Sequence, residues 1–191
     1  MHPHDLYILR HGQTVWNAEG RWQGRANSSL TALGREQAAR QRAILEGLDL
    51  SGVLAFTSPQ GRAVETAGLA LAPLVGEVAT DGRLREIDVG DWTGRLRAEL
   101  HPAGAAAEEF DADDIALYGG APGGEGLDAL KSRCASFLAD LRGPAVVVAH
   151  GITGRMLRVL ALGLEEDALA EMPGGQGVVH HLSGGAQRRL G

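Results

Sequence analysis

Three short apolar runs, Asp5–Arg10, Val53–Thr57 and Ala145–Ala149, constrain this chain more than any other feature. A continuous apolar strand needs cover on both faces, which points to the interior of a parallel sheet. Long helical patterns separate the runs. "TALGREQAARQRAILEGL" follows the first, with Thr31 placed as an N-cap. "SPQGRAVETAGLALAPL" follows the second, with Ser58 expected as N-cap and Pro59 at the first helical position. "LDALKSRCASFLADL" precedes the third and "ITGRMLRVLALGL" follows it. Strands alternating with helices predict an α/β fold with a mostly parallel sheet. The tail "VVHHLSGGAQRRL" reads as a fourth strand, Val178–Leu182, a Ser-Gly-Gly turn and a return strand. His180 and His181 then face opposite ways and do not work as a pair.

The expected organisation is one domain over residues 1–191. Residues 94–126 differ from the rest, with an acidic helix-like stretch followed by the Gly/Pro-rich "GGAPGGEG". They read as an excursion over one end of the sheet and as part of a substrate lid. The net charge of -6 disfavours a nucleic-acid partner. No apolar run is long enough to span a membrane. The start "MHPHD" lacks the charged and apolar regions of a signal peptide, so a cytoplasmic location is expected and His2 and His4 read as a solvated end. The single cysteine, Cys134, reads as a core or semi-exposed thiol on a helix.

The strand ends carry the chemistry. The first run gives Arg10-His11-Gly12, the second Ser58-Pro59-Gln60-Gly61-Arg62, the third His150-Gly151. In a parallel α/β sheet these ends share one edge, where ligands bind. Two arginines and two histidines converging there suit an anion, and phosphate is the commonest. Arg62 falls in the first turn of a helix, which adds backbone N–H groups and a favourable dipole. Histidine is a competent nucleophile when neutral, and its ordinary pKa of about 6.5 allows that. Glu86, with Asp88 and Asp91 close behind, is the candidate acid, kept partly protonated by its neighbours.

With these residues in place, the sequence resembles the histidine phosphatase superfamily, in its phosphoglycerate mutase-like branch. "LRHGQTVWNAEGRWQG", "TSPQGRAVETA", "LREIDVGDWTG" and "VVVAHG" stand in that family's order and spacing. The resemblance implies a three-layer α/β/α sandwich with the site at the carboxyl edge of the sheet. It implies that His11 is phosphorylated, and that Arg10, Arg62, His150 and Asn17 contact the phosphoryl group. Glu86 is then the acid and later the base. Gln23, Gly24 and Gly151 fall on substrate-binding stretches. No metal or organic cofactor is implied. Two departures stand out: the usual Asp before "LT" is Asn27, expected to be structural, and the Glu common after RHG is Gln13.

Phosphatase is favoured over mutase. Val89 and Arg97 stand where mutases carry Tyr and Lys, and the mutases' long insertion and tail are missing. Water is then expected to reach the intermediate. The expected substrate is a small phosphorylated metabolite, and the chain a monomer or homodimer. Trp16, Trp22 and Trp92 flank the motifs and either line a leaving-group pocket or pack its base. Rival readings are a metal-dependent hydrolase using His11 and His150, and a non-catalytic phosphate- or protein-binding module.

Overall fold

The computed structural model describes residues 2–100 and 112–191. Its strands are β1 (Leu6–Arg10), β2 (Leu54–Thr57), β3 (Ala79–Thr80), β4 (Ala145–Ala149), β5 (Val179–Ser183) and β6 (Ala186–Leu190). The helices are α1 (Val15–Ala18), α2 (Ala32–Glu46), α3 (Gly61–Ala70), α4 (Arg97–Leu100), α5 (Ala112–Gly120), α6 (Gly126–Asp140) and α7 (Gly151–Leu162). They build a mixed α/β fold around a six-stranded sheet of order β3-β2-β4-β1-β5-β6. β1 pairs with β4, and β2 with β3 and β4, in parallel. β5 and β6 add antiparallel strands on the other side.

Strand periodicity divides the core. Leu6 and Ile8 of β1, with Ala145, Val147 and Ala149 of β4, face a cluster that includes Leu130 and Phe137 of α6 and Met156 of α7. Tyr7, Leu9, Val146 and Val148 face the other way, onto Leu45 of α2 and Ala63 and Ala67 of α3. Burying one such Leu or Val side chain contributes about 1.5–3 kcal/mol, so both faces resist any change of register. The helices therefore form layers on either side of the sheet. β2 departs from the expected double cover. Leu54 is exposed, because only two-residue β3 lies beyond that strand. β3 itself has no apolar run, and both its residues are exposed.

Helix starts follow local chemistry. Thr31 caps α2, its Oγ1 accepting from Gly34 N at 3.0 Å. The expectation for α3 needs correction: the helix begins at Gly61, Gln60 stands at the N-cap, and no side chain of its own caps it. Ser58 Oγ accepts from Gln60 N at 3.3 Å, ahead of the helix, and also meets His150 Nε2, while Asn27 Oδ1 accepts from Arg62 N at 2.9 Å. That gives Asn27 the structural role expected of it. α7 is buried on nearly every side, including Arg155 and Arg158, and stops at Gly163, whose φ of 69° favours glycine. His2 is also tied down rather than solvated, its ring hydrogen-bonding the Leu138 carbonyl at 3.1 Å. Cys134 is a core residue, and burial pushes its thiol up to about 12. Among the described residues no helix is long and apolar enough to cross a membrane.

Candidate active site

The parallel register lines up the strand ends. Arg10 lies beside Ala149, and Thr57 beside Val148, so His11, Ser58 and His150 leave the sheet at one level. His11 N donates to Ala149 O and Ser58 N to Val148 O. Just past β1, the backbone at Gly12 presses on α2. A Cβ there would lie 2.1 Å from Gly34 O, and one on Gly34 would lie 2.1 Å from Gln13 O. Two glycines allow the strand end and the helix to touch, which sets where His11 points.

Hydrogen bonds fix the His11 ring. Its Nδ1 lies 2.7 Å from Gly12 O, and Arg62 Nε lies 3.1 Å from its Nε2. A guanidinium N–H only donates. Nε2 is therefore the unprotonated nitrogen, and Nδ1–H donates to Gly12 O. Burial holds the imidazole well below its ordinary pKa, with help from Arg62 and Arg10. A neutral ring with a defined Nε2 lone pair is what nucleophilic attack requires.

Arg62 is 1% exposed. Its Nη2 donates to Gly24 O at 2.9 Å and its Nη1 to Ala26 O. Burial lowers its pKa to about 10, with Glu86 opposing, so it stays charged at neutral pH. Glu86 is buried and receives four bonds. Oε1 accepts from Ile87 N, Thr153 N and Thr153 Oγ1, each at 3.0 Å, and Oε2 from Ile152 N at 3.2 Å. Three of these four donors belong to the first turn of α7, where the helix dipole also favours a carboxylate. The acidic neighbours expected to act on Glu86 point elsewhere. Asp88 accepts from Gly90 N and pairs with Arg25, and Asp91 is exposed.

The structure brings Arg10, His11, Asn17, Gln23, Gly24, Arg62 and Glu86 together around one cavity of about 600 Å³. His150 and Gly151 line a neighbouring space of about 20 Å³, and Arg10 borders both. His150 still packs against His11, the ring centroids 5.1 Å apart. Its Nε2 is hydrogen-bonded to Ser58 Oγ at 2.8 Å. Burial, then Arg62 and the His11 ring, keep it well below its ordinary pKa. Its Nδ1 has no partner among the described residues. Asn17 Oδ1 accepts from Thr14 N, Gln23 Nε2 donates to Thr14 Oγ1, and Gly24 offers its carbonyl to Arg62 and Gln60.

Several contributors were not singled out from sequence. Ser58 holds the same strand-end position as His11 and His150, a signal overridden by its reading as a cap. Gln60 links Gly24 O to Glu86 N, and Gln176 Nε2 donates to His11 O at 2.9 Å. Tyr118, Arg21, Arg40 and Arg189 also line the cavity. The tryptophans do not. Trp22 is fully buried against Trp92 and Tyr118, so the two tryptophans pack together rather than line the pocket. Val89 is in the core, while Arg97 lines the cavity. From the expected lid, Arg97 and Tyr118 reach the cavity; residues 101–111 lie outside the described residues. Among the described residues no group of three or more His, Cys, Asp or Glu side chains is placed to hold a metal ion.

Comparison with known proteins points to one family and one fold. The family model for the histidine phosphatase superfamily (branch 1) matches residues 6–189. Glucosyl-3-phosphoglycerate phosphatase of Mycolicibacterium vanbaalenii is 35% identical over 176 residues, covering 85% of this chain and 76% of its own length. A probable phosphoglycerate mutase of Salmonella choleraesuis is 33% identical over 169 residues, covering 83% and 75%. Among solved structures, a mycobacterial glucosyl-3-phosphoglycerate phosphatase complexed with VO3 superposes with a TM-score of 0.79 at 30% identity, over 98% of this chain and 97% of that one. The α-ribazole phosphatase of Shigella flexneri gives 0.79 at 27% identity, over 97% and 95%.

Proposed function

The chain belongs to the histidine phosphatase superfamily, branch 1, and is an enzyme acting on phosphomonoesters; from that premise we propose that it hydrolyses a small phosphomonoester through a phosphohistidine on His11. The observation that carries this reading is the Nε2 lone pair of a buried, neutral His11 at the wall of an arginine-lined cavity.

Arriving phosphorus takes the place of the Arg62 Nε–H on that lone pair, and the freed N–H turns to a phosphoryl oxygen. The N–P bond forms as the P–O bond to the alcohol breaks. The ring becomes cationic, and Gly12 O, already accepting from Nδ1–H, offsets that charge. Arg10, Arg62, His150 and Asn17 bind the non-bridging oxygens and stabilise the charge that builds on them. Glu86, a carboxylate in the resting site, takes a proton from the entering phosphate monoanion and passes it to the departing oxygen. Oε2 accepts a single bond, so it is the oxygen with room to carry that proton. Water then attacks phosphorus and returns a proton to Glu86. The N–P bond breaks, and phosphate leaves a neutral His11.

Hydrolysis is favoured over transfer to a second substrate. A cavity of about 600 Å³ leaves ample room for water beside a phosphoryl group, and Val89, at the mutases' Tyr position, contributes nothing to its wall. The test is phosphate release from p-nitrophenyl phosphate and a panel of metabolite phosphates, by wild type and His11→Ala, with and without chelator. Release that survives chelator and disappears with His11 supports the reading. Chelator-sensitive release points to a metal-dependent hydrolase. Efficient exchange of phosphate between phosphoglycerates, with little free phosphate, points to a mutase.

A further inference from the structure

The hydrolysis proposed above gives His150 a phosphoryl oxygen to hold, and its ring has one nitrogen left for it. Nε2 lies 2.8 Å from Ser58 Oγ, while Nδ1, also buried, has no partner among the described residues. The ring packs against the nucleophile, 5.1 Å from centroid to centroid. A phosphoryl oxygen is an acceptor, so the nitrogen that meets it must carry hydrogen. A neutral imidazole has a single N–H, and the hydrogen bond made at one nitrogen sets which of the two keeps the proton. Burial and Arg62 keep this ring neutral. What happens at Nε2 therefore governs what Nδ1 can do.

Ser58 is fully buried, and its neighbours assign its hydrogen. Its N donates to Val148 O at 3.0 Å, which pins the residue at the end of β2. Its Oγ accepts from Gln60 N at 3.3 Å. Two acceptors compete for the hydroxyl hydrogen. Gln60 Oε1 lies 3.5 Å away and already accepts from Glu86 N at 2.6 Å. A good hydroxyl bond spans about 2.5–3.0 Å, and only His150 Nε2, at 2.8 Å, meets that range. His11 follows the same logic with the ends exchanged. Gly12 O, an acceptor, holds the His11 proton on Nδ1 and leaves the Nε2 lone pair for phosphorus. Ser58, a donor, occupies the Nε2 lone pair of His150 and leaves its Nδ1–H for oxygen. One tautomer serves both rings, and the neighbours determine which end each presents.

We propose that Ser58 is a positioning residue for phosphoryl transfer: its hydroxyl donates to His150 Nε2, fixing the proton on Nδ1, and that N–H donates to a non-bridging phosphoryl oxygen. This rests on reading the site as a phosphomonoesterase and adds a residue to its machinery.

Nitrogen-15 NMR of ring-labelled wild type reads the tautomer directly, with the His150 signals assigned by their loss in His150→Asn. Nδ1 should show the shift of a protonated nitrogen and Nε2 that of a bare one. Saturating inorganic phosphate should move the Nδ1–H resonance. In Ser58→Ala the single tautomer should give way to a mixture, and kcat/KM should fall about tenfold, in the range of one lost hydrogen bond. A bare Nδ1 in wild type, an Nδ1–H that phosphate leaves unmoved, or a kcat/KM that Ser58→Ala leaves within about twofold overturns the proposal. The wild-type spectrum needs no variant to fold, and it separates the two levels. An Nδ1–H moved by phosphate, with no ester turned over, sinks the phosphatase reading and keeps the role of Ser58. Full turnover with the proton on Nε2 sinks the role of Ser58 and keeps the reading.

Discussion

The two ends of the cavity are built differently. At the inner end His11, Arg62, Glu86 and His150 are all buried, and each is held by specific hydrogen bonds. At the outer wall Arg40 and Arg189 are exposed and without a carboxylate partner among the described residues that line it. A buried polar group left unpaired costs free energy, so the inner geometry is forced into one arrangement. An exposed arginine keeps its rotamers until something binds. The two ends are therefore separable: inner changes act on every substrate, and outer changes leave the inner arrangement as it is.

The largest effect belongs to His11→Ala, which removes the nucleophile. kcat for phosphate release should drop by about 10³-fold or more on every ester tried. Substantial activity on any of them breaks the division at once.

Glu86→Gln should lower kcat by about 10²–10⁴-fold for alkyl phosphates. The loss should be much smaller for p-nitrophenyl phosphate, whose leaving group departs without a proton. An equal loss for both would mean that Glu86 organises the start of α7 and does not transfer the proton.

Gly12→Ala should act through stability. The added methyl meets Gly34 O at 2.1 Å, and backbone must move. A cost of about 1–3 kcal/mol is expected, by analogy with overpacked cores, read from urea unfolding midpoints. Arg40→Gln in the same assay should be within experimental error.

Acid should weaken the inner end as well. His11, His150 and His180 are all held below their ordinary pKa by burial, His180 down to about 3. In the unfolded chain they bind protons near pH 6.5, and folded they do not. Stability is thus fully present above about pH 6.5 and falls as pH drops toward the folded pKa. At pH 5.5 His180 alone costs about 1 kcal/mol, and His11 and His150 act in the same direction. Unfolding midpoints at pH 7.5 and 5.5 measure this, and equal midpoints contradict it.

How much of this was legible in the sequence follows the same division. β1, β4, α2, α6 and α7 announce themselves because burial on both faces leaves continuous apolar runs, and one-sided burial leaves helical periodicity. β3 left no mark, since two exposed residues carry no pattern. His11, Arg62 and His150 were readable because they follow strand ends, where topology alone makes them neighbours. Arg40 and Arg189 were not. They sit in stretches that read as an ordinary helix and an ordinary return strand, and only long-range packing brings them to one rim. Arg155 and Arg158 were hidden for a similar reason: a helix pattern does not say that its cations are buried. The Ser58 cap failed because the helix begins only at Gly61: the hydroxyl still accepts from Gln60 N, but that residue lies before the helix, and the same oxygen meets the His150 ring.

The stereochemical course at phosphorus tests the central claim most directly. A phosphorothioate monoester made chiral at phosphorus with two oxygen isotopes, turned over in water carrying the third, yields inorganic thiophosphate whose configuration can be read by 31P NMR. Two in-line displacements, first by His11 Nε2 and then by water, predict overall retention. Inversion would mean a single displacement by water, and would contradict a phosphohistidine on His11.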